Sequence, residues 1–209
     1  DGAPLYSGLA KVYGADLFPA IFIDRIEVVK GGSSVLYGPE AMAGVVNLIT
    51  APPSATGADA AFTLGSILGD ATERKASARA DYVNEIDGFR FSGYAMVEDN
   101  EALDLGTDGF SEIPEFTNRV AGVQALWNPV ESATLKANYQ FMDQEHRGGD
   151  RLDLPEEQAR VGESLAHNIH LGQIASDQRL HDSFDYHLGF SYLYIERESF
   201  YGERGDHEQ

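Results

Sequence analysis

From Ala58 onward the chain alternates apolar and polar positions with a period of two residues, broken by turn sequences. In Phe89 to Val97 one side carries Phe89, Phe91, Gly93, Ala95 and Val97, and the other carries Arg90, Ser92, Tyr94 and Met96. Leu135, Ala137, Tyr139 and Phe141 alternate with Thr134, Lys136, Asn138 and Gln140, and the odd and even positions from Phe184 to Tyr194 separate in the same way. Successive side chains of an extended chain point to opposite faces, so this period marks strands with one apolar face. The pattern predicts seven strands: Ala60–Leu68, Arg74–Glu85, Phe89–Val97, Arg119–Asn128, Thr134–Met142, His167–Ser176 and Phe184–Glu196. In the sixth, Ile169 and Leu171 supply the apolar side before Gln173 interrupts it.

The connections alternate as well. Ile86-Asp87-Gly88, Asn128 to Ser132 and His181-Asp182-Ser183 are short turn sequences, whereas Glu98 to Glu115 and Asp143 to Ala166 are long polar segments expected to be loops. Tight turns at one end and extended loops at the other are what a membrane barrel produces, and strands of about 9 to 11 residues suit a tilted crossing. The first outer connection, Ser66 to Glu73, is brief and departs from the pattern. A soluble β-sandwich shows the same alternation within strands and stands as the alternative of a different class, a soluble or surface binding module.

Composition changes this picture little. The mean hydropathy of −0.29 and the lack of a long apolar run exclude a spanning helix, but in a barrel only alternate side chains meet lipid. A formal charge of −19 argues against a nucleic-acid partner, because neutralising phosphates takes clustered Lys and Arg. The absence of cysteine removes disulfides and thiolate metal sites.

Ahead of the strands, Ile26 to Thr50 holds two β-branched runs, Ile26–Val29 and Val45–Ile49, around a glycine-rich segment; they read as two buried strands joined by tight turns. The glycines do not form a phosphate loop: Gly32 and Gly38 enclose too many residues, and Pro39 stands where lysine is required. The spacing of a dinucleotide fingerprint is missing too. The string Asp24-Arg25-Ile26-Glu27-Val28-Val29-Lys30-Gly31, then Leu36-Tyr37-Gly38 and Ala43 to Thr50, resembles the end of the plug domain in TonB-dependent outer-membrane receptors.

That resemblance implies a mainly β fold: the C-terminal part of a plug over residues 1–52, a linker over 53–59, and barrel strands over 60–209. Seven strands cannot close around a plug where such transporters have about 22, so the chain is expected to be a fragment of a longer protein, itself lacking the first part of the plug and roughly two-thirds of the barrel. The resemblance further implies nutrient import at the outer membrane of a Gram-negative bacterium. TonB with ExbB and ExbD would supply the energy by pulling on the plug from its N-terminal side, and the cargo would be a small-molecule metal chelate. A ferric siderophore is the expected substrate; cobalamin or haem is the alternative. Arg25, Glu27, Gly31, Gly32, Tyr37, Gly38, Gly44 and Asn47 would form the structural plug motif, and Tyr6 and Tyr13 would lie in plug loops that meet substrate.

Other candidate chemistry is sparse. His167 and His170 are an odd number of residues apart on a strand, so they take opposite faces and cannot clasp one ion, and no metal site is expected. Arg147 and Arg151, beside Gly148-Gly149, could grip an anionic chelate through bidentate bonds, or belong to a solvated loop balanced by nearby carboxylates. Asp99, Glu101, Asp104, Asp108 and Glu112 crowd one loop but lack the EF-hand order. No catalytic set with usable spacing emerges, so neither an enzyme nor a bound cofactor is expected.

Overall fold

The computed structural model describes residues 19–32, 44–152, 154, 158–181 and 184–203. A short 3-10 turn, Ala20–Phe22, leads into β1 (Ile23–Lys30), which pairs antiparallel with β2 (Gly44–Thr50) as a two-stranded sheet. Seven further strands follow: β3 (Gly57–Ile67), β4 (Ala71–Asn84), β5 (Phe89–Asn100), β6 (Phe110–Val130), β7 (Ala133–Asp150), β8 (Val161–His181) and β9 (Phe184–Glu203). They form one antiparallel sheet in chain order, each strand paired with its sequence neighbours. This meander needs only hairpin connections, which is how a transmembrane barrel is built.

Each predicted strand is present, with altered bounds. β3 starts at Gly57 and so takes the last residues of the expected linker. The larger change is at the far end. The segments expected as long loops, 98–115 and 143–166, are strand over about half of their length: β6 begins at Phe110, β7 runs to Asp150 and β8 starts at Val161. Apolar alternation stops near Ala121, Phe141 and Tyr194, yet the backbone ladder continues with polar pairs, such as Arg119 with Asp143 at 2.8 Å and Thr117 with Asp99 at 3.0 Å. Hydrophobic patterning records where lipid ends. Backbone hydrogen bonding has no reason to end there.

The two faces of the sheet differ. On the outward face Phe62, Leu64, Ile174, Leu188 and Phe190 are well over half exposed, with Tyr82, Trp127, Tyr139, Tyr192 and Tyr194 about half exposed. On the inward face Met96, Val120, Met142 and Ile169 are buried together with Phe22, and Ile23 and Leu48 of the plug hairpin pack against them. Registers place Met96 opposite Val120, Val120 opposite Met142 and Met142 opposite Ile169, so the core is one row running across four strands. The greasy side chains of the alternation thus look away from the plug, as a barrel wall requires.

β8 departs from expectation. Ile169 and Leu171, read as its lipid side, are 1% and 6% exposed and face inward, while His170, Gly172 and Ile174 take the outward side. The plug supplies the reason: where a wall strand packs on an apolar part of the plug, its inward residues are apolar too, and both sides of the strand look greasy. The plug strands also differ from prediction. Ile26, Val28 and Val46 are more than half exposed rather than buried, because β1 and β2 pair only with each other among the described residues.

At the short-turn end the hairpin β4–β5 closes on an Asx turn. Asn84 Oδ1 accepts from the N–H groups of Ile86 and Asp87 at 3.0 and 3.3 Å, and Gly88 sits at φ +63°, where a side chain would also run into the carbonyl of Asn128.

Candidate functional site

The chemistry of this chain lies where the plug hairpin meets the strand wall. β1 and β2 are in register from Ile23 opposite Thr50 to Lys30 opposite Gly44, with an irregularity between Ile23 and Arg25. Glu27 lies opposite Asn47. Arg25 Nε donates to Glu27 Oε1 at 3.0 Å and Asn47 Nδ2 donates to Glu27 Oε2 at 3.2 Å, so three residues of the expected motif meet in one cross-strand cluster. Those two donors, Arg25 before Asn47, hold the Glu27 carboxyl below its usual value of 4.5.

At the end of the hairpin, Gly44 has φ +134°, and a β carbon there would stand 2.6 Å from Val29 O, so only glycine fits. Gly31 takes φ +90° and Gly32 is exposed. Tyr37 and Gly38 lie outside the described residues, as do Tyr6 and Tyr13.

The strongest link to the wall is a residue the sequence did not mark. Arg79 of β4 is 7% exposed, and its Nε is paired with Asp81, 2.9 and 3.0 Å from the two carboxylate oxygens. Its remaining nitrogens reach across to the plug: Nη2 donates to Ala51 O at 2.9 Å and Nη1 to Ile21 O at 3.4 Å. The guanidinium also lies 5.4 Å from the centre of the Phe22 ring, a cation–π contact. Asp81 in turn accepts a short bond from Ser92 Oγ. A planar fork with five N–H donors serves this arrangement, and a lysine ammonium could not hold one carboxylate and two separated carbonyls at once.

Phe22 completes the joint by stacking on Tyr94 of β5, with centroids 3.9 Å apart and planes 23° from parallel. Tyr94 lies opposite Gly122 of β6, whose missing side chain gives the ring its room. A second polar fastening runs from Gln124 Nε2 to Thr50 Oγ1 at 2.9 Å. One sequence signal bore on Arg79: a cation sat on the inward face of a wall strand two residues from an aspartate, where charge without a partner is costly.

The two expected cationic contacts are not brought together. Arg147 shares the outward parity of Tyr139 and Phe141 on β7, and its Nη2 donates to Leu154 O at 3.4 Å. Arg151 donates to Gln158 O at 3.4 Å. Both are tied to carbonyls of the connection between β7 and β8.

In the acidic segment Asp104, Asp108 and Glu112 place carboxylate oxygens within 4.8 Å of one another. They accept from the N–H groups of Gly109, Phe110 and Leu105 and so close the turn itself. His167 and His170 take opposite faces: His167 is buried inward beside Gln144, and His170 contacts Tyr139 outward at 2.6 Å.

Comparison with known proteins agrees with this geometry. Residues 1–45 match the family model described as TonB-dependent Receptor Plug Domain. No curated protein and no solved structure matches the chain. No helix among the described residues is long and apolar enough to cross a membrane, a finding that leaves strand-built membrane proteins untouched. A plug sequence that runs into a hairpin stapled to the inward face of an antiparallel wall supports membership of the TonB-dependent receptor family.

Proposed function

We propose that the chain works in an outer-membrane importer that takes up a ferric siderophore by energy-coupled transport, with TonB, ExbB and ExbD supplying the energy. The observation that supports import is the division of the wall: apolar side chains face away from the plug, and Arg79, Tyr94 and Gln124 face it and hold it. A wall arranged in this way serves as a gated path rather than as a passive pore or a soluble module. Residues 1–52 form the plug portion in this reading, and the strands from residue 60 onward form the barrel portion.

Tyr6, Tyr13, Arg147 and Arg151 are the proposed substrate contacts. Arg147 and Arg151 sit at the long-connection end, so they would meet a chelate before it enters, after releasing the carbonyls of Leu154 and Gln158. Cobalamin and haem are the competing substrates. A strain lacking the receptor, grown in turn on a ferric siderophore, haem and cobalamin as sole sources, should fail on the siderophore alone and should fail identically when TonB is removed. Growth on the siderophore at the parental rate would overturn the assignment.

A further inference from the structure

We propose that the outward face of the wall carries a binding site for the sugar head group of an outer-leaflet glycolipid, in a groove that crosses β6 to β9 above the apolar belt. The site goes beyond the import reading and does not depend on which cargo is carried.

The groove encloses about 510 Å³. Its lining falls into two neighbouring rows of the sheet: in one, Glu145, Ala166 and Glu198 lie side by side on β7, β8 and β9, and in the other Arg147, Ser164 and Phe200 do. These side chains share the outward parity of Phe141, His170 and Tyr194, so the groove opens away from the lumen.

Height decides what can reach it. The last apolar outward row is Phe141, His170 and Tyr194, and a polar row with Asp143, Asn168 and Glu196 follows. The groove spans Glu145 to Arg147, roughly 13–20 Å along the strand from Phe141 and, at a tilt of about 40°, roughly 10–15 Å above the belt. A phospholipid head group extends only about 5–7 Å beyond the hydrocarbon. A chain of several sugars bridges the difference, so the occupant is a glycolipid with an extended oligosaccharide.

The chemistry of the groove suits sugar. Glu145 and Glu198 flank the small floor residue Ala166 at two strand spacings, on the order of 10 Å apart, which leaves room for one sugar ring. Both are exposed, and neither makes an ion pair among the described residues. Ionised carboxylates only accept hydrogen bonds, and sugar hydroxyls donate them. Phe200 offers an apolar surface to the C–H face of the ring; it lies over Gly202, where a β carbon would stand 2.7 Å from it. Glu115, Glu145 and Glu198 outnumber Arg147, whose Nη2 is already held by Leu154 O at 3.4 Å. The groove therefore disfavours phosphate and selects uncharged, hydroxyl-rich rings.

The test titrates the intact receptor, in detergent, with lipopolysaccharide that carries its core oligosaccharide and, in parallel, with lipid A, which stops at the sugars next to the acyl chains. The wild type should bind the longer glycolipid about tenfold more tightly, the factor expected from one hydrogen bond to a charged acceptor. A166W fills the floor of the groove and should bring the two affinities together while leaving that for lipid A unchanged. E145Q combined with E198Q removes both charged acceptors without adding bulk and should likewise abolish most of the preference; it decides the matter if A166W fails to assemble. Equal affinity for the two glycolipids in the wild type would overturn the inference. So would a full preference in A166W, or in E145Q with E198Q in its place.

Binding is read without transport, so a failure of the import reading leaves this result standing. In cells A166W should take up the siderophore at the wild-type rate. Loss of uptake confined to A166W would put position 166 on the path of the cargo instead of against the leaflet, and would also overturn the inference.

Discussion

Tyr94 lies across Gly122 on the neighbouring strand so closely that any side chain at Gly122 would collide with the phenol ring. The pair is a cross-strand contact in which a glycine is covered by an aromatic ring, and that ring is the platform on which Phe22 of the plug stacks. G122A should therefore act on the plug as well as on the wall. The expected cost is about 1–3 kcal/mol from overpacking. In denaturant unfolding of the intact receptor, G122A should lower the midpoint of the plug transition more than G93A does, Gly93 being an outward glycine opposite Val123 with only a distant neighbour.

Replacement of Gly44 tests the hairpin itself. G44A forces a side chain into φ +134° and against Val29 O, which breaks the pairing at Lys30 and Gly44. The cost should be about 1–3 kcal/mol, that of a side chain held in a sparsely populated backbone region. Amide exchange at Val29 and Lys30 should accelerate, while exchange in β6 and β7 stays unchanged.

One carboxylate joins the two ends of the connection between β7 and β8. Asp150 Oδ1 accepts from the N–H groups of Arg160 and Val161 at 2.8 and 3.0 Å, and Oδ2 pairs with Arg160 Nε at 3.1 Å. The Val161 N–H first, and Arg160 after it, hold the Asp150 carboxyl below its ordinary value of 3.8. A depressed carboxylate contributes stability that is fully present above the unfolded value and is lost as pH falls through the folded one. The connection should therefore be protected at neutral pH and open only in strong acid, below 3.8. D150N should expose Arg151 and Arg160 to trypsin already at neutral pH.

Much of this architecture was legible in the sequence, and the failures have physical causes. Period-two alternation located every wall strand because lipid on one side and the interior on the other impose opposite chemistries on neighbouring residues. The plug was legible through the residue string from Asp24 to Thr50, which resembles the end of the family's plug; its glycines alone would only have marked turns. The strand extensions were not, since above the lipid both faces of a strand are polar and the pattern fades although the ladder persists. In β8 the apolar surface of the plug reversed the pattern at Ile169, and Leu171 on the same side is buried too. Only the nearby Asp81 hinted at Arg79, because its two plug partners are backbone carbonyls, which leave no trace in residue identity.

Depth-dependent cost distinguishes the two faces of β9. Phe190 is 69% exposed on the outward side, while its neighbour Ser191 takes the inward side. F190R should destabilise the barrel in lipid by about 2–4 kcal/mol, the penalty for arginine near the bilayer midplane. S191R should cost much less. Equilibrium folding of the intact receptor into liposomes measures both.

The most direct test of the whole account uses the same two positions. The chain has no cysteine, so F190C and S191C each give a single site in it for a nitroxide label. In bilayers the label at position 190 should collide freely with oxygen dissolved in lipid and hardly with a water-soluble nickel chelate, whereas the label at 191 should be shielded from lipid-borne oxygen. Equal shielding of both labels from lipid would place those aromatic side chains in a dry protein interior and would contradict the barrel wall on which the import reading depends.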